Sequence, residues 1–152
     1  MPIKIKTPNS QITASFNGQY EERVTGVIIR TLQYVGEKCI TEAREGGTYQ
    51  DQTGNLRSSI GYAIVKDGVV VNSTMSQKIA GTKTSEDNGN QIGSDYLKKV
   101  SKEYQGISLI VVAGMRYAAY VESRGYNVLT SSEILADQLV PQLLKQLGFE
   151  TK

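Results

Sequence analysis

Few side chains in this sequence are suited to catalysis or metal binding. Among its 152 residues there is one cysteine, Cys39, and no histidine. A lone cysteine forms neither an intramolecular disulfide nor a multi-cysteine metal site, and without histidine the commonest general base and metal ligand is missing. Asp51 and Glu122, with a tyrosine, are the residues that a small hydrolase would use, but no nucleophile and base pair can be assigned to them. We expect no enzymatic activity and no cofactor, and keep the hydrolase as an alternative.

The basic residues are the next candidates for ligand binding. The chain has 17 Lys and Arg residues against 15 Asp and Glu residues, a formal charge of +2. Phosphate-backbone binding needs a more concentrated basic patch. Lys98, Lys99 and Lys102 form the densest group and favour a solvated helix face. Together with Arg116 and Arg124 they define a second alternative, a weak nucleic-acid-binding module, but no specific nucleic acid is expected.

Hydropathy and aromatic composition indicate where such a chain resides and what its surface contacts. The first residues lack the apolar core of a signal peptide, and no stretch approaches 18 apolar residues. We therefore expect a soluble protein that is made in the cytoplasm and has no membrane partner. Nine tyrosines, two phenylalanines and no tryptophan place much of the aromatic surface at edges and interfaces.

A long amphipathic helix is the first element that would position these residues. From about Gln19 to Glu45, apolar residues recur at steps of three and four, which predicts one buried stripe. Cys39 lies on this stripe and is expected to be a small buried hydrophobe. Gly26 and Gly36 indicate close packing or a bend, and the 46–47 glycine pair is expected to end the helix through a positive φ.

Strand patterns follow the helix. Ile3 and Ile5 alternate with lysines, and Ile60, Tyr62 and Ile64 share one face of a second strand. The dipeptide 67–68, Asp-Gly, predicts a type I′ hairpin before three valines at 69–71. The apolar run 107–113 is typical of a central strand that is buried on both faces. Residues from about 72 to 94 are polar and predict a flexible insertion.

The remaining segments predict helices. Residues 95–105 indicate a short helix, and Tyr117 to Val121 indicate one or two turns, after which Glu122 is expected to form a salt bridge or a cap. Thr130 and Glu133 have the spacing of a capping box before a leucine stripe. Pro141 predicts a kink or a break in that last helix. We therefore expect a single α+β domain over 1–152, with a small, mostly antiparallel sheet packed against a long N-terminal helix and a C-terminal helix.

Two segments carry a resemblance to a known family. They are 51–60, DQTGNLRSSI, and 114–129, GMRYAAYVESRGYNVL. Their order and spacing resemble the tail-completion, or head-tail joining, proteins of long-tailed bacteriophages and prophages. There a T-G-x-L-R-x-S-I element follows a long helix, and a Y-A-x-Y-V-E-x-G element precedes a final helix. This chain departs from the pattern in its polar insertion and in the additional Arg124 before Gly125.

The resemblance implies a non-enzymatic structural protein that acts in tail completion or neck assembly. It implies other neck or tail proteins as partners, a homo-oligomeric ring in the assembled particle, and a location in the host cytoplasm during assembly and in the virion neck or tail afterwards. We also expect Arg57 to lie close to Glu122, where the two segments would meet. The expected structural and assembly residues are Thr53, Gly54, Leu56, Arg57, Ser59, Tyr117, Tyr120, Glu122 and Gly125.

Overall fold

The structure is a computed structural model that describes residues 2–6, 18–75, 81 and 87–148. Its sheet has four antiparallel strands in the order β1-β4-β2-β3. The strands are β1 Pro2–Lys6, β2 Ile60–Lys66, β3 Val69–Met75 and β4 Ile107–Ala113. The helices are α1 Gly18–Glu45, α2 Asn55–Ser58, α3 Gly89–Ser101, α4 Ala118–Ser123 and α5 Thr130–Gln146. The predicted α+β class, with a long N-terminal and a C-terminal helix, is confirmed.

The apolar run 107–113 forms the centre of the sheet, as predicted. Strand β4 lies between β1 and β2, and all seven of its residues are buried. Its pairing with β2 runs from Ile60 opposite Ala113 to Lys66 opposite Ile107. Because neighbouring side chains on a strand point to opposite faces, β4 contributes to two core clusters.

The helices cover both faces of this sheet. On one face, α1 and α5 pack over a large cluster that includes Leu32, Tyr62 and Leu109. Gly36 allows this contact, since a Cβ at that position would lie 2.6 Å from the Tyr62 ring. On the other face, α3 contributes Leu97 and Val100 to a smaller cluster. The predicted close packing at Gly36 is therefore confirmed.

The predicted hairpin between β2 and β3 is present. Asp67 has φ 51° and Gly68 has φ 82°, the positive values that a type I′ turn requires. The main chain of Lys102, just after α3, lies 3.4 Å from the position of a Gly68 Cβ. Strand β3 is an edge of the sheet, and its three valines are exposed.

The predicted bounds of the polar insertion and of the helix after it are wrong at both ends. Strand β3 extends to Met75, because its polar residues pair with β2 along the sheet edge. Helix α3 begins at Gly89, where the Asn88 side chain accepts a hydrogen bond from the N–H of Gln91. The rest of the predicted insertion, 76–80 and 82–86, lies outside the described residues.

Two predictions about helix ends also need correction. Gly46 and Gly47 do not adopt positive φ, and the Gly46 N–H still bonds to the Glu42 carbonyl at 2.7 Å. The end of α1 is instead bound by side chains from later in the chain. Helix α5 continues through Pro141 without breaking into two helices. Within the described part of the chain, no helix is both long and apolar enough to cross a membrane.

Candidate functional site

Segment 51–60 folds into a turn followed by the single-turn helix α2. The Asp51 carboxylate accepts hydrogen bonds from the N–H groups of Leu56, at 3.4 Å, and Arg57, at 2.9 Å. The Thr53 hydroxyl accepts the Asn55 N–H at 3.3 Å, and Gly54 turns the chain with φ 77°. Side-chain oxygens thus bind N–H groups that a helix start leaves free. The predicted turn at Thr53 is confirmed.

Arg57 connects this turn to the end of α1. Its guanidinium donates to the carbonyl oxygens of Arg44 and Gly47, each at 3.2 Å, and to that of Tyr49 at 3.5 Å. It also lies over the Tyr49 ring, 4.6 Å from the centroid. Carbonyl groups at a helix C-terminus lack partners within the helix and favour a nearby cation. Arg57 therefore provides the helix end that the sequence assigned to the glycine pair.

Glu122 has the equivalent role at the start of α5. Its carboxylate accepts the Thr130 N–H at 2.9 Å, and also the Val128 N–H and the Thr130 hydroxyl. The capping role that the sequence allowed for Glu122 is confirmed. The predicted capping box of Thr130 and Glu133 is wrong, because the N-cap is Leu129 and the Thr130 hydroxyl is directed to Glu122.

Asn127 is a structural residue that the sequence did not single out. Its side-chain amide donates to the Gly46 carbonyl at 3.0 Å and to the Ser131 hydroxyl at 2.7 Å. Its side-chain oxygen accepts the Ser131 N–H at 3.1 Å. An asparagine just before a helix start is a recognisable cap signal. Its second contact, to the end of α1, depends on the tertiary structure.

The two segments meet at Tyr49. The side chain is buried, and among the described residues its hydroxyl has no hydrogen-bond partner. Burial raises the pKa of Tyr49 to about 12, the Arg57 charge opposes this rise, and Asp51, Tyr117 and Glu122 add to it. Charges from both segments therefore act on one phenol. The predicted direct contact between Arg57 and Glu122 stays a prediction.

A second contact joins the segments at Tyr117. Its pKa is raised by burial and by Asp51, while a hydrogen bond with the Thr53 side chain lowers it. Nearby, the Gly114 N–H donates to the carbonyl and the hydroxyl oxygens of Ser59, at 3.2 and 3.1 Å. The two quoted segments are thus neighbours in space, although 53 residues separate residues 60 and 114 in sequence.

Helix α3 presses on the same turn through glycines. A Cβ on Gly89 would lie 2.2 Å from the Asn55 carbonyl oxygen, and one on Gly93 would lie 2.3 Å from that of Ser59. The Asn55 side chain accepts the Gly89 N–H at 3.1 Å in a buried bond. Such close approach of two backbones excludes any larger residue. These glycines fall within the predicted polar insertion, so the sequence gave no indication of this contact.

The structure brings together most of the predicted assembly residues but not all of them. Leu56 and Ser59 are buried, and Thr53, Arg57, Tyr117 and Glu122 surround them. Tyr120 is 63% exposed and has Arg124 over its ring at 5.9 Å. Gly125 is also exposed, and it has φ 90° with open space around it. Tyr120 and Gly125 therefore belong to the surface and not to the buried cluster.

An open cleft of about 330 Å³ lies beside this surface. Its wall is formed by the end of α4, the following loop and the first turns of α5. Tyr126 and Ile134 provide its exposed apolar side chains. The lining residues are Glu122, Gly125, Tyr126, Asn127, Thr130, Ser131 and Ile134.

The chemistry available around these contacts is limited. Asp51 and Glu122 direct their oxygens to the main chains of two different helices. Cys39 is fully buried, donates weakly to the Ser132 carbonyl at 3.6 Å, and has its pKa raised by burial to about 12. It is the buried hydrophobe that the sequence predicted. The described residues contain no group of three or more potential metal ligands.

Comparison of the chain with known protein families, with curated proteins and with solved structures gave no match.

Proposed function

We propose that this protein is a non-enzymatic structural protein of bacteriophage assembly that acts at the tail or the head-tail junction. The proposal starts from the resemblance of segments 51–60 and 114–129 to the tail-completion family. The observation that carries it further is the convergence of both segments on Tyr49, where their charged groups bind main chain. Residues that shape a fold in this way are expected of an assembly protein, whose activity is the surface it presents.

The hydrolase alternative has less support. A general acid or base must reach the proton that it transfers. Asp51 accepts two N–H groups at the start of α2, and Glu122 accepts its bonds at the start of α5. Both carboxylates therefore have structural partners. Of the described residues, none forms a nucleophile and base pair with either of them in the hydrogen bonds given above.

The nucleic-acid alternative has less support as well. Lys102 follows α3 and lies beside the Asp67–Gly68 turn, at one end of the sheet. Arg116 follows β4, at the opposite end. Strands of seven residues separate these ends by about 20 Å. The basic residues named in the sequence therefore do not form one continuous patch for phosphate groups.

Deletion of the gene from a phage or prophage that encodes this chain tests the proposal. We expect induced cells to produce filled heads and separate tails, and expression of the wild-type chain in trans to restore joined particles. Mass spectrometry of purified particles should detect the chain in wild-type virions. Normal, infectious particles from the deletion strain would contradict the proposal, as would the absence of the chain from purified virions.

A further inference from the structure

We infer that copies of this chain associate head to tail, with the β2–β3 hairpin tip of one copy seated in the cleft between α4 and α5 of the next. This inference rests on the proposed function and deepens it by naming the partner and the surface. The hairpin tip is defined as residues 66–71, and the cleft is the one beside Tyr126 and Ile134. The partner is therefore a second copy of the same chain.

The first support is the apolar character of both surfaces. At the hairpin tip Val69 is 66% exposed, and Val70 and Val71 are also largely uncovered. At the cleft Tyr126 and Ile134 are each about half exposed. Clustered exposed apolar side chains, and tyrosine in particular, mark protein interfaces. A convex tip of valines and a concave apolar cleft match in shape and chemistry.

The second support is the position of the two surfaces. The hairpin turn follows Lys66, which pairs with Ile107 at one end of the sheet. The cleft lies beyond Ala113, which pairs with Ile60 at the other end. A tip and a cleft at opposite ends of one molecule cannot both be covered in a single contact between two copies. They pair one after another, which is the head-to-tail geometry of rings and filaments.

The third support is charge complementarity at the rims. Lys66 and Lys102 are exposed beside the hairpin turn, where the Asp67 carboxylate accepts the Gly106 N–H. Glu133 is exposed next to Ile134 at the cleft, and Glu122 lines it. Opposite charges at the rim of an interface direct encounter and register more than they add affinity. Lysines meeting glutamates would therefore favour the tip-to-cleft arrangement over tip-to-tip contact.

Two surface variants test the inference, with sedimentation velocity of the purified full chain over a wide concentration range as the measurement. Val69→Asp alters the tip and Ile134→Asp alters the cleft, both at side chains more than half exposed. We expect the wild type to form species larger than a dimer, and each variant to associate about tenfold or more weakly. Tyr34→Asp, at an exposed aromatic of α1 outside both surfaces, is the matched control and should associate as the wild type does.

An equimolar mixture of the two variants gives the sharpest result. Val69→Asp keeps an intact cleft and Ile134→Asp keeps an intact tip, so the mixture should form a dimer and no larger species. A mixture that stays monomeric, a wild type that is monomeric at every concentration, or an equal loss in folded Tyr34→Asp would overturn the inference. Val71→Asp is a second tip variant if circular dichroism shows that Val69→Asp is unfolded.

Failure of the inference is distinguishable from failure of the proposed function. If the chain is present in virions but the purified protein does not associate through tip and cleft, the head-to-tail contact is wrong and the function stands. If the variants behave as expected but the chain is absent from virions, the contact stands and the function is wrong.

Discussion

Charged side chains in this protein act mainly on the main chain. Asp51 and Glu122 bind N–H groups at helix starts, and Arg57 binds carbonyl groups at a helix end. Hydrogen bonds to charged groups are among the stronger ones, contributing about 1.5–3 kcal/mol each. At the residue scale, charges that resemble catalytic candidates in the sequence therefore stabilise the junctions between elements.

Replacement of Arg57 tests this role. We expect Arg57→Ala to lower the free energy of unfolding by about 2 kcal/mol, because charged hydrogen bonds to carbonyl groups are lost. Arg57→Lys should recover only part of this, since lysine lacks the planar fork of donors. Urea unfolding provides the measurement. Arg124→Ala, at an exposed arginine, is the control, and a loss as large as that of Arg57→Ala would contradict the prediction.

Tyr49 gives a pH-dependent prediction. Its pKa of about 12 in the folded protein exceeds the ordinary value of 10.0. The folded state thus holds the phenol proton more tightly, so this contribution to stability is complete below pH 10 and is lost as the pH rises toward 12. Tyr49→Phe should remove that part of the alkaline loss. At pH 7 it should not destabilise, because the buried hydroxyl has no partner among the described residues.

Unfolding free energies at pH 7 and pH 11 check the Tyr49 prediction. The difference between wild type and Tyr49→Phe should change in favour of the variant at the higher pH. Tyr34→Phe, at an exposed tyrosine, should follow the wild type at both values. Parallel curves for wild type and Tyr49→Phe would contradict the assignment.

At the element scale, the start of α5 distinguishes local from tertiary capping. Glu122→Ala should lower stability by about 1–2 kcal/mol, the range for loss of an N-terminal cap. Glu133→Ala should change it by less than about 0.5 kcal/mol, since the residue is exposed and no capping box forms. Thermal unfolding of both variants checks this. The opposite ranking would support the capping box that the sequence predicted.

The contact between α3 and the 51–60 turn is a second prediction at this scale. Gly89→Ala would place a Cβ 2.2 Å from the Asn55 carbonyl oxygen, and should destabilise by about 2–3 kcal/mol through overpacking. Gly26→Ala in α1 meets nothing closer than Arg30, at 4.0 Å. It should stabilise by about 0.5–1 kcal/mol through helix propensity. Chemical unfolding of the pair provides the comparison, and a neutral Gly89→Ala would contradict the close approach.

These elements differ in how far the sequence predicted them. The Asp67–Gly68 turn and strand 107–113 were predictable, because their signals are local and strong. The start of α3 at Gly89 was not, since a polar segment rich in glycine favours a loop until a second backbone packs on it. The ends of α1 and α5 were wrong or incomplete for a related reason, because Arg57 and Glu122 reach them from other parts of the chain.

For the whole molecule, the sheet order predicts a gradient of local stability. Strands β4 and β2 lie inside the sheet, whereas β3 forms one edge. Amides of β4 should exchange with solvent only on global unfolding, and outward-facing amides of β3 should exchange through smaller openings. Hydrogen exchange measured by NMR checks this. Exchange at Val111 as fast as at Val71 would contradict the central position of β4.

The sequence by itself determined the α+β class, the long first helix, the hairpin, the central strand and the buried state of Cys39. Each of these follows from local periodicity or turn chemistry. Only the tertiary structure decided that segments 51–60 and 114–129 meet at Tyr49, and that Arg57 and Glu122 bind helix ends. Only it placed the valine hairpin and the apolar cleft at opposite ends of the sheet. Those relations join residues far apart in the chain, where no local pattern specifies which backbone groups will lack a partner.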